Sequence, residues 1–526
     1  MSKLLPSFSL PKTKSVSGSG NSGNSGSSSV LKRVYKNSLL NVLTQAFVVV
    51  VTFFAIPHIL KGLGDTAFGI LSLVLIFIGY FSLVDFGLGS AVVKFVADKR
   101  SVDDRSSLNA VFTFSCIMSI VIGLIVGLSI FLFSKDLAHL IFKVSGGMDV
   151  IVACLRIVAA TMPFMILQSI LKGALMGYER FDTSNLIQAA SGVLQWGGIL
   201  FLVFFGVKLT WIIGYVALLR FGITVLYLFS VLRVSGLRFS ISGLHSSLMK
   251  GMLGFGGWVM VSQSISPILQ YLERFVLSAT IATSILPFYV IPFDATSKLL
   301  VLATAIAAAL FPGLSGISEP GASRGEFKRV YLTTLKMLAY VMIPTGIILA
   351  TFAQEILKLW IGESFAVRAL PCFQILILAF VVNSIAHIPY TTLHALGKPK
   401  IPGIFHLIEL PIHIFVVFLS IRMWGVVGAA FATIIRMVLD AILLFWANQK
   451  ELNLLEMLKG TFKTGIVVPA VAALVWAGSA VFLTRSVAAE VVVTLIGLSL
   501  YSTIVLRISL NKREREAIWG SIVRRI

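Results

Sequence analysis

The chain has 526 residues, 57% of them hydrophobic, with a mean hydropathy of +0.96. That apolar load excludes a soluble globular protein, whose surface would have to be largely hydrocarbon. The net charge of +21 comes from 43 Lys and Arg against 22 Asp and Glu. No nucleic-acid-binding motif accompanies it, so the excess points to loops retained in the cytoplasm and away from DNA or RNA.

Residues 1–36 differ from everything after them. "SVSGSGNSGNSGSSS" (Ser15 to Ser29) has almost nothing to bury and reads as a flexible tail. It lacks the apolar stretch of a signal peptide. Lys32, Arg33 and Lys36 precede the first apolar run and place the N-terminus in the cytoplasm.

Fourteen candidate spans follow, near 38–60, 67–93, 108–134, 150–172, 184–206, 209–232, 251–279, 284–312, 331–352, 369–396, 402–421, 424–447, 464–484 and 490–507. With the N-terminus inside, and with Lys172 and Arg507 at span ends counted as cytoplasmic, 29 Lys or Arg fall in cytoplasmic segments, 8 in external loops and 6 within spans. This asymmetry predicts an all-α polytopic protein with both termini cytoplasmic. The longest external loop runs only from about Ser134 to Asp149, too short for an outer enzymatic domain. Cys116, Cys154 and Cys372 lie inside apolar runs and read as small core residues, not as disulfides or zinc ligands.

The chain also repeats itself. "KDLAHLIF" (Lys135 to Phe142) matches "QEILKLWI" (Gln354 to Ile361) at an offset of 219. "ALMGYERF" (Ala174 to Phe181) and "HALGKPKI" (His394 to Ile401) correspond in position at an offset of 220, as do "TAFGI" and "LPFYV". These offsets predict an N-terminal lobe over 37–235 and a C-terminal lobe over 236–450, each of six helices. Two further helices and a basic C-terminus occupy 451–526. Internal repeats of this kind put a transport cavity between the halves.

Three stretches carry a family resemblance. "YKNSLLNVLTQAFVVVVTFFAIPHILKGLGDTAFGILSL" resembles the first two helices of the polysaccharide-transporter, or O-antigen flippase, branch of the multidrug/oligosaccharidyl-lipid/polysaccharide (MOP) exporter superfamily. "LVDFGLGSAVVKFVA" is similar to that branch's second-helix ending. "LERFVLSATIATSILPFYVIPFDATSKLLVLATAIAAALFPGLS" resembles its seventh-to-eighth helix signature, with Glu273–Arg274 where the branch has Asp–Arg. The likeness covers roughly residues 31 to 450 and implies six plus six plus two helices. It implies a flippase that moves an undecaprenyl-diphosphate-linked oligosaccharide across a bacterial inner membrane by alternating access. It also implies lipid and polysaccharide-assembly partners, a monomer, no cofactor and no covalent chemistry. No Walker motif is present, so energy would come from an ion gradient or from removal of product.

Charges inside a span cost several kcal/mol unless they face a partner or water. Arg220 and Arg436 are near-counterparts at an offset of 216 and suit a lipid diphosphate through the bidentate guanidinium fork. Asp440, at i+4 from Arg436, leaves a structural ion pair equally open. Asp294 and Lys298 share a helix face, and with Glu273 and Arg274 they read as a salt-bridge network or a gate. His406, Glu409 and His413 share another face; no further donor completes a metal shell, and a proton site or a hydrogen-bond cluster stays open. Asp85, beside Gly87 and Gly89 in the inner half of the second span, reads as an ion-coupling or helix-locking carboxylate. His387 and His394 share the tenth span, with packing and function equally open. The rivals are a cation-coupled multidrug exporter and a membrane glycan polymerase. Six basic residues against five acids inside the spans (Asp85, Glu273, Asp294, Glu409, Asp440) favour an anionic substrate over a cationic drug.

Overall fold

The computed structural model describes residues 23–83, 87–240, 245–301, 303–304, 324–396, 398, 400–452, 468–483 and 487–510. Among them it is helical, without a strand. The helices are α1 (Gly23–Leu83), α2 (Leu88–Ser101), α3 (Arg105–Leu132), α4 (Ser134–Ile141), α5 (Met148–Gly177), α6 (Phe181–Phe204) and α7 (Leu209–Ser235). They continue as α8 (Ser246–Thr280), α9 (Pro287–Ser297), α10 (Arg324–Thr351), α11 (Ala353–Trp360), α12 (Glu363–Ala395), α13 (Lys400–Leu452), α14 (Val468–Leu483) and α15 (Val487–Ile504).

Ten segments of the described residues are long and apolar enough to cross a membrane, against fourteen spans expected. Two of the ten hold a break. A straight 53-residue α13 would extend roughly 80 Å at 1.5 Å per residue, far beyond a hydrocarbon core of roughly 30 Å. At Gly425 the backbone turns to φ 57°, ψ −128°, and Gly428 comes back against the Ser420 carbonyl, so α13 is a helical hairpin. The 61-residue α1 breaks likewise at Gly64, with φ 76° and ψ 168°. It also starts at Gly23, inside the stretch read as a flexible tail. Once a long apolar helix is nucleated, adding turns at its end costs little per residue.

The second expected span is also divided. α2 begins after Gly87, a left-handed residue whose α-carbon lies so close to the Gly256 carbonyl of α8 that no side chain would fit. Two short amphipathic helices, α4 and α11, occupy loops in which no helix was expected, and they contain most of the "KDLAHLI" and "QEILKLW" repeat.

Lipid tails are as apolar as Leu, so close backbone approach replaces the hydrophobic effect in holding these helices together. α3 offers Gly123 and Gly127, four apart, to α5, where a Cβ on Gly127 would lie 2.5 Å from the Ala159 carbonyl oxygen. α5 repeats the device with Gly173 and Gly177 against α2, the first placed 2.6 Å by the same measure from the Gly89 carbonyl oxygen. Large side chains such as Leu124, Ile125 and Leu128 then face outward, as lipid contact requires.

Candidate functional site

α8, α9, α12 and α13 line a partly open cavity of about 340 Å³. Arg436 and Asp440 of α13 line it, with His387, Tyr390 and Asn383 of α12 and Phe293 of α9. These elements all belong to the chain after residue 245.

Arg436 and Asp440 lie one turn apart, the spacing that suggested an ion pair, yet no ion pair joins them. Asp440 instead meets His406 and Glu409, and the ligand atoms of the three lie within 4.8 Å of one another. His406 Nδ1 is 3.4 Å from Glu409 Oε2. Glu409 is fully buried, and its Oε1 has no hydrogen-bond partner. Arg436 Nε is likewise buried and unpartnered. Arg436 forms no ion pair within 4 Å among the described residues, although Glu273 and Asp440 lie close enough to interact with its charge. Beside it, two carboxyl groups and an imidazole share a space suited to a proton or a small cation.

His413 does not join His406 and Glu409, although all three share a helical repeat. Its Nε2 lies 3.2 Å from Glu273 Oε1 of α8. The Thr433 hydroxyl donates to the same oxygen at 2.9 Å and meets the Tyr289 hydroxyl at 2.8 Å. Glu273, His413, Thr433 and Tyr289 are all buried, while Glu273 Oε2 has no partner.

The four charges read as one network separate. Arg274 donates to Asp294 Oδ1 at 2.7 Å, and its guanidinium lies 4.7 Å from the Phe293 ring centroid and 5.3 Å from that of Tyr271. Lys298 is exposed and forms no ion pair among the described residues. Its i+4 spacing from Asp294 was real, but Asp294 faces α8 instead. Asp85 lies outside the described residues.

Arg220 lies between α6 and α7, where it donates to Gln195 Oε1 at 2.5 Å and to Ser191 Oγ at 3.5 Å. No carboxylate among the described residues pairs with it. It does not line the cavity that holds Arg436, so the structure does not bring the two arginines together.

Residues 63–370 match the family described as "Polysaccharide biosynthesis protein". The chain belongs to that family. It is 27% identical over 428 residues to the "Putative O-antigen transporter" of Shigella flexneri, covering 80% of this chain and 99% of that protein. It is 24% identical over 497 residues to the "Probable flippase AglR" of Haloferax volcanii, covering 90% and 95%. Among solved structures, "Lipid II flippase MurJ, inward closed conformation" superposes with a TM-score of 0.67 at 15% identity, covering 89% of this chain and 99% of that one. An inward-facing multidrug resistance MATE family transporter of the MOP superfamily gives 0.66 at 14%, covering 77% and 95%. The family assignment and the all-helical MOP fold agree with the expectation from sequence.

Several residues of the site were not singled out in the sequence. Thr433 and Tyr289 are neutral and sit in helices rich in such residues, so nothing marked them. Asn383 and Tyr390 did leave a signal: with His387 they recur at i, i+4 and i+7, a polar stripe on an otherwise apolar helix.

Proposed function

We propose that this protein is a flippase that carries an undecaprenyl-diphosphate-linked oligosaccharide, an O-antigen or similar repeat unit, from the inner to the outer leaflet by alternating access. The observation that carries this reading is Arg436, which forms no direct ion pair among the described residues and lines a cavity of mixed polar and apolar side chains among apolar helices. A buried guanidinium without a direct ion pair is costly, and a lipid diphosphate would supply a bidentate anion. The likeness to an O-antigen transporter over nearly its whole length supports the same substrate class.

In this reading the protein sits in the cytoplasmic membrane with the end bearing Lys99, Arg100 and Arg180 inward. Two six-helix halves rock about the site. Arg436 holds diphosphate directly, and Arg220, capped only by neutral Gln195 and Ser191, offers a second anion contact in the other half. Glu409, Asp440 and His406 take up a proton or small cation, which alters the charge next to Arg436 and so its hold on the substrate. Glu273 with His413, and Arg274 with Asp294, change partners as the halves move. Asp85 remains a candidate for the same coupling.

The test is leaflet location of lipid-linked glycan. Spheroplasts lacking the protein are treated with an impermeant glycan-binding probe, beside cells complemented with wild type or with Arg220→Ala plus Arg436→Ala. The expected result is accumulation of inner-leaflet glycan that wild type relieves and the inserted double variant does not. Identical surface glycan with and without the protein, together with altered dye efflux, would instead establish a multidrug exporter, which the carboxylates at Glu409 and Asp440 would also suit.

A further inference from the structure

One stripe of side chains goes beyond what a diphosphate needs. On α12, Asn383, His387, Tyr390 and His394 stand at i, i+4, i+7 and i+11, which a repeat of 3.6 residues places on a single face. The first three line the cavity. The rings form a ladder: His387 and Tyr390 lie 6.0 Å apart at 19°, and Tyr390 and His394 lie 4.4 Å apart at 41°. His394 is exposed at the end of α12, so the ladder runs from the cavity to the surface.

The chemistry of this stripe narrows its ligand. Flat rings offer apolar faces with a polar edge, and Asn383 offers both donors and an acceptor. A diphosphate would use the cation and ignore the ring faces. A lipid tail would leave the amide and imidazoles unsatisfied. A pyranose sugar uses both, because its C–H face packs on a ring while its hydroxyls pair with amide and imidazole. The volume, about 340 Å³, lies at the low end of ligand pockets (roughly 300–1,000 Å³) and suits a short piece of glycan over a whole repeat unit.

We infer that the Asn383, His387 and Tyr390 face of α12 is a carbohydrate subsite that holds the sugar joined to the diphosphate while Arg436 holds the diphosphate. This rests on the flippase reading and adds the element that reads the glycan. The stripe would make the protein selective for a glycosylated lipid over the bare lipid diphosphate.

The test is equilibrium binding to the full-length protein in lipid nanodiscs. The two probes are undecaprenyl diphosphate and the undecaprenyl-diphosphate-linked repeat unit extracted from the cells that make it. Wild type is expected to bind the glycosylated lipid about tenfold or more tighter than the bare one. Asn383→Ala plus Tyr390→Ala is expected to erase that preference, the loss falling on the glycosylated lipid, and Tyr390→Phe, which keeps the ring, to retain most of it. Should the double variant fail to insert, the single variants Asn383→Ser and His387→Gln are read in the same way. Equal binding of both lipids by wild type overturns the subsite while leaving the flippase reading in place. A folded double variant that keeps the full preference also overturns it. If wild type binds neither lipid, the flippase reading falls and the subsite with it.

Discussion

Thr433 is a neutral side chain that joins buried groups of three helices. It donates to the buried Glu273 carboxylate and meets the Tyr289 hydroxyl, so it links α13 to both α8 and α9. Thr433→Val keeps the shape and removes the hydroxyl, stranding the buried Tyr289 hydroxyl and leaving Glu273 Oε1 with His413 alone, at a cost of about 1–3 kcal/mol. The expected readout is a clear loss of thermal stability in detergent. Thr503→Val, at an exposed threonine bonded only to its own helix, should barely shift it. Equal shifts would mean that the buried chain of hydroxyls is not holding the helices. At this scale the sequence named the charged residues but not their pairs. Spacing along a helix says which side chains can meet, and a neighbouring helix then offers competing partners. Asp440 and Asp294 both leave their i±4 neighbours for partners across an interface.

Among the elements, the α13 hairpin depends on Gly428, where a methyl group would run into the Ser420 carbonyl. Gly428→Ala is therefore expected to destabilise by about 1–3 kcal/mol, the usual cost of overpacking. Gly478→Ala on α14 has open space around it and should be neutral or stabilise by about 0.4–1 kcal/mol. Denaturation midpoints of the two variants separate these outcomes, and a Gly428→Ala protein as stable as wild type would rule out the tight reversal. The start of α3 carries a pH-sensitive cap. The Ser107 hydrogen bonds, and Lys99 at 3.6 Å, hold the Asp104 carboxyl below the usual carboxylate range. A lowered folded pKa means that the cap stabilises above the unfolded value of roughly 3.9. That contribution fades as pH falls through the lower folded value. Asp104→Asn should flatten the acid limb of a stability-against-pH curve, and an unchanged limb would remove Asp104 from it. Apolar length made the spans readable in the sequence. The short helices α4 and α11 were not read as elements, because eight residues are too few to register against the flanking apolar runs.

For the whole molecule, contacts at the Gly64 end tie distant parts of the chain together. Trp360 donates to the Phe53 carbonyl at 2.7 Å and stacks on the Phe53 ring at 4.5 Å and 3°. Arg368 reaches Asp65 at 3.8 Å, and the backbone of Lys143 exchanges hydrogen bonds with Ser278 and Thr283 at 3.1 and 3.0 Å. Each contact joins a segment before residue 150 to one after 270, and alternating access would have to part them. Exposed ion pairs are worth about 0–1 kcal/mol, so the Asp65 pair alone is no lock. A covalent tie at the same place is a stronger test. Asp65→Cys plus Arg368→Cys, joined by a short bis-maleimide, should abolish surface display of glycan, while either single variant treated alike should not. Full transport by the cross-linked protein would show that this end does not open.

Apolar run length gave the sequence reading its membrane class and helical fold, and the resemblance of three stretches gave it its family. Each of these is written along one chain direction and needs no knowledge of neighbours. The partners of the buried charges, the cavity among α8, α9, α12 and α13, and the separation of Arg220 from Arg436 were decided only in three dimensions. In a membrane, apolar surface does not choose which helices meet, because lipid satisfies it equally well. Close approach at small residues and the pairing of a few polar groups make that choice, and both depend on side chains that lie far apart in sequence.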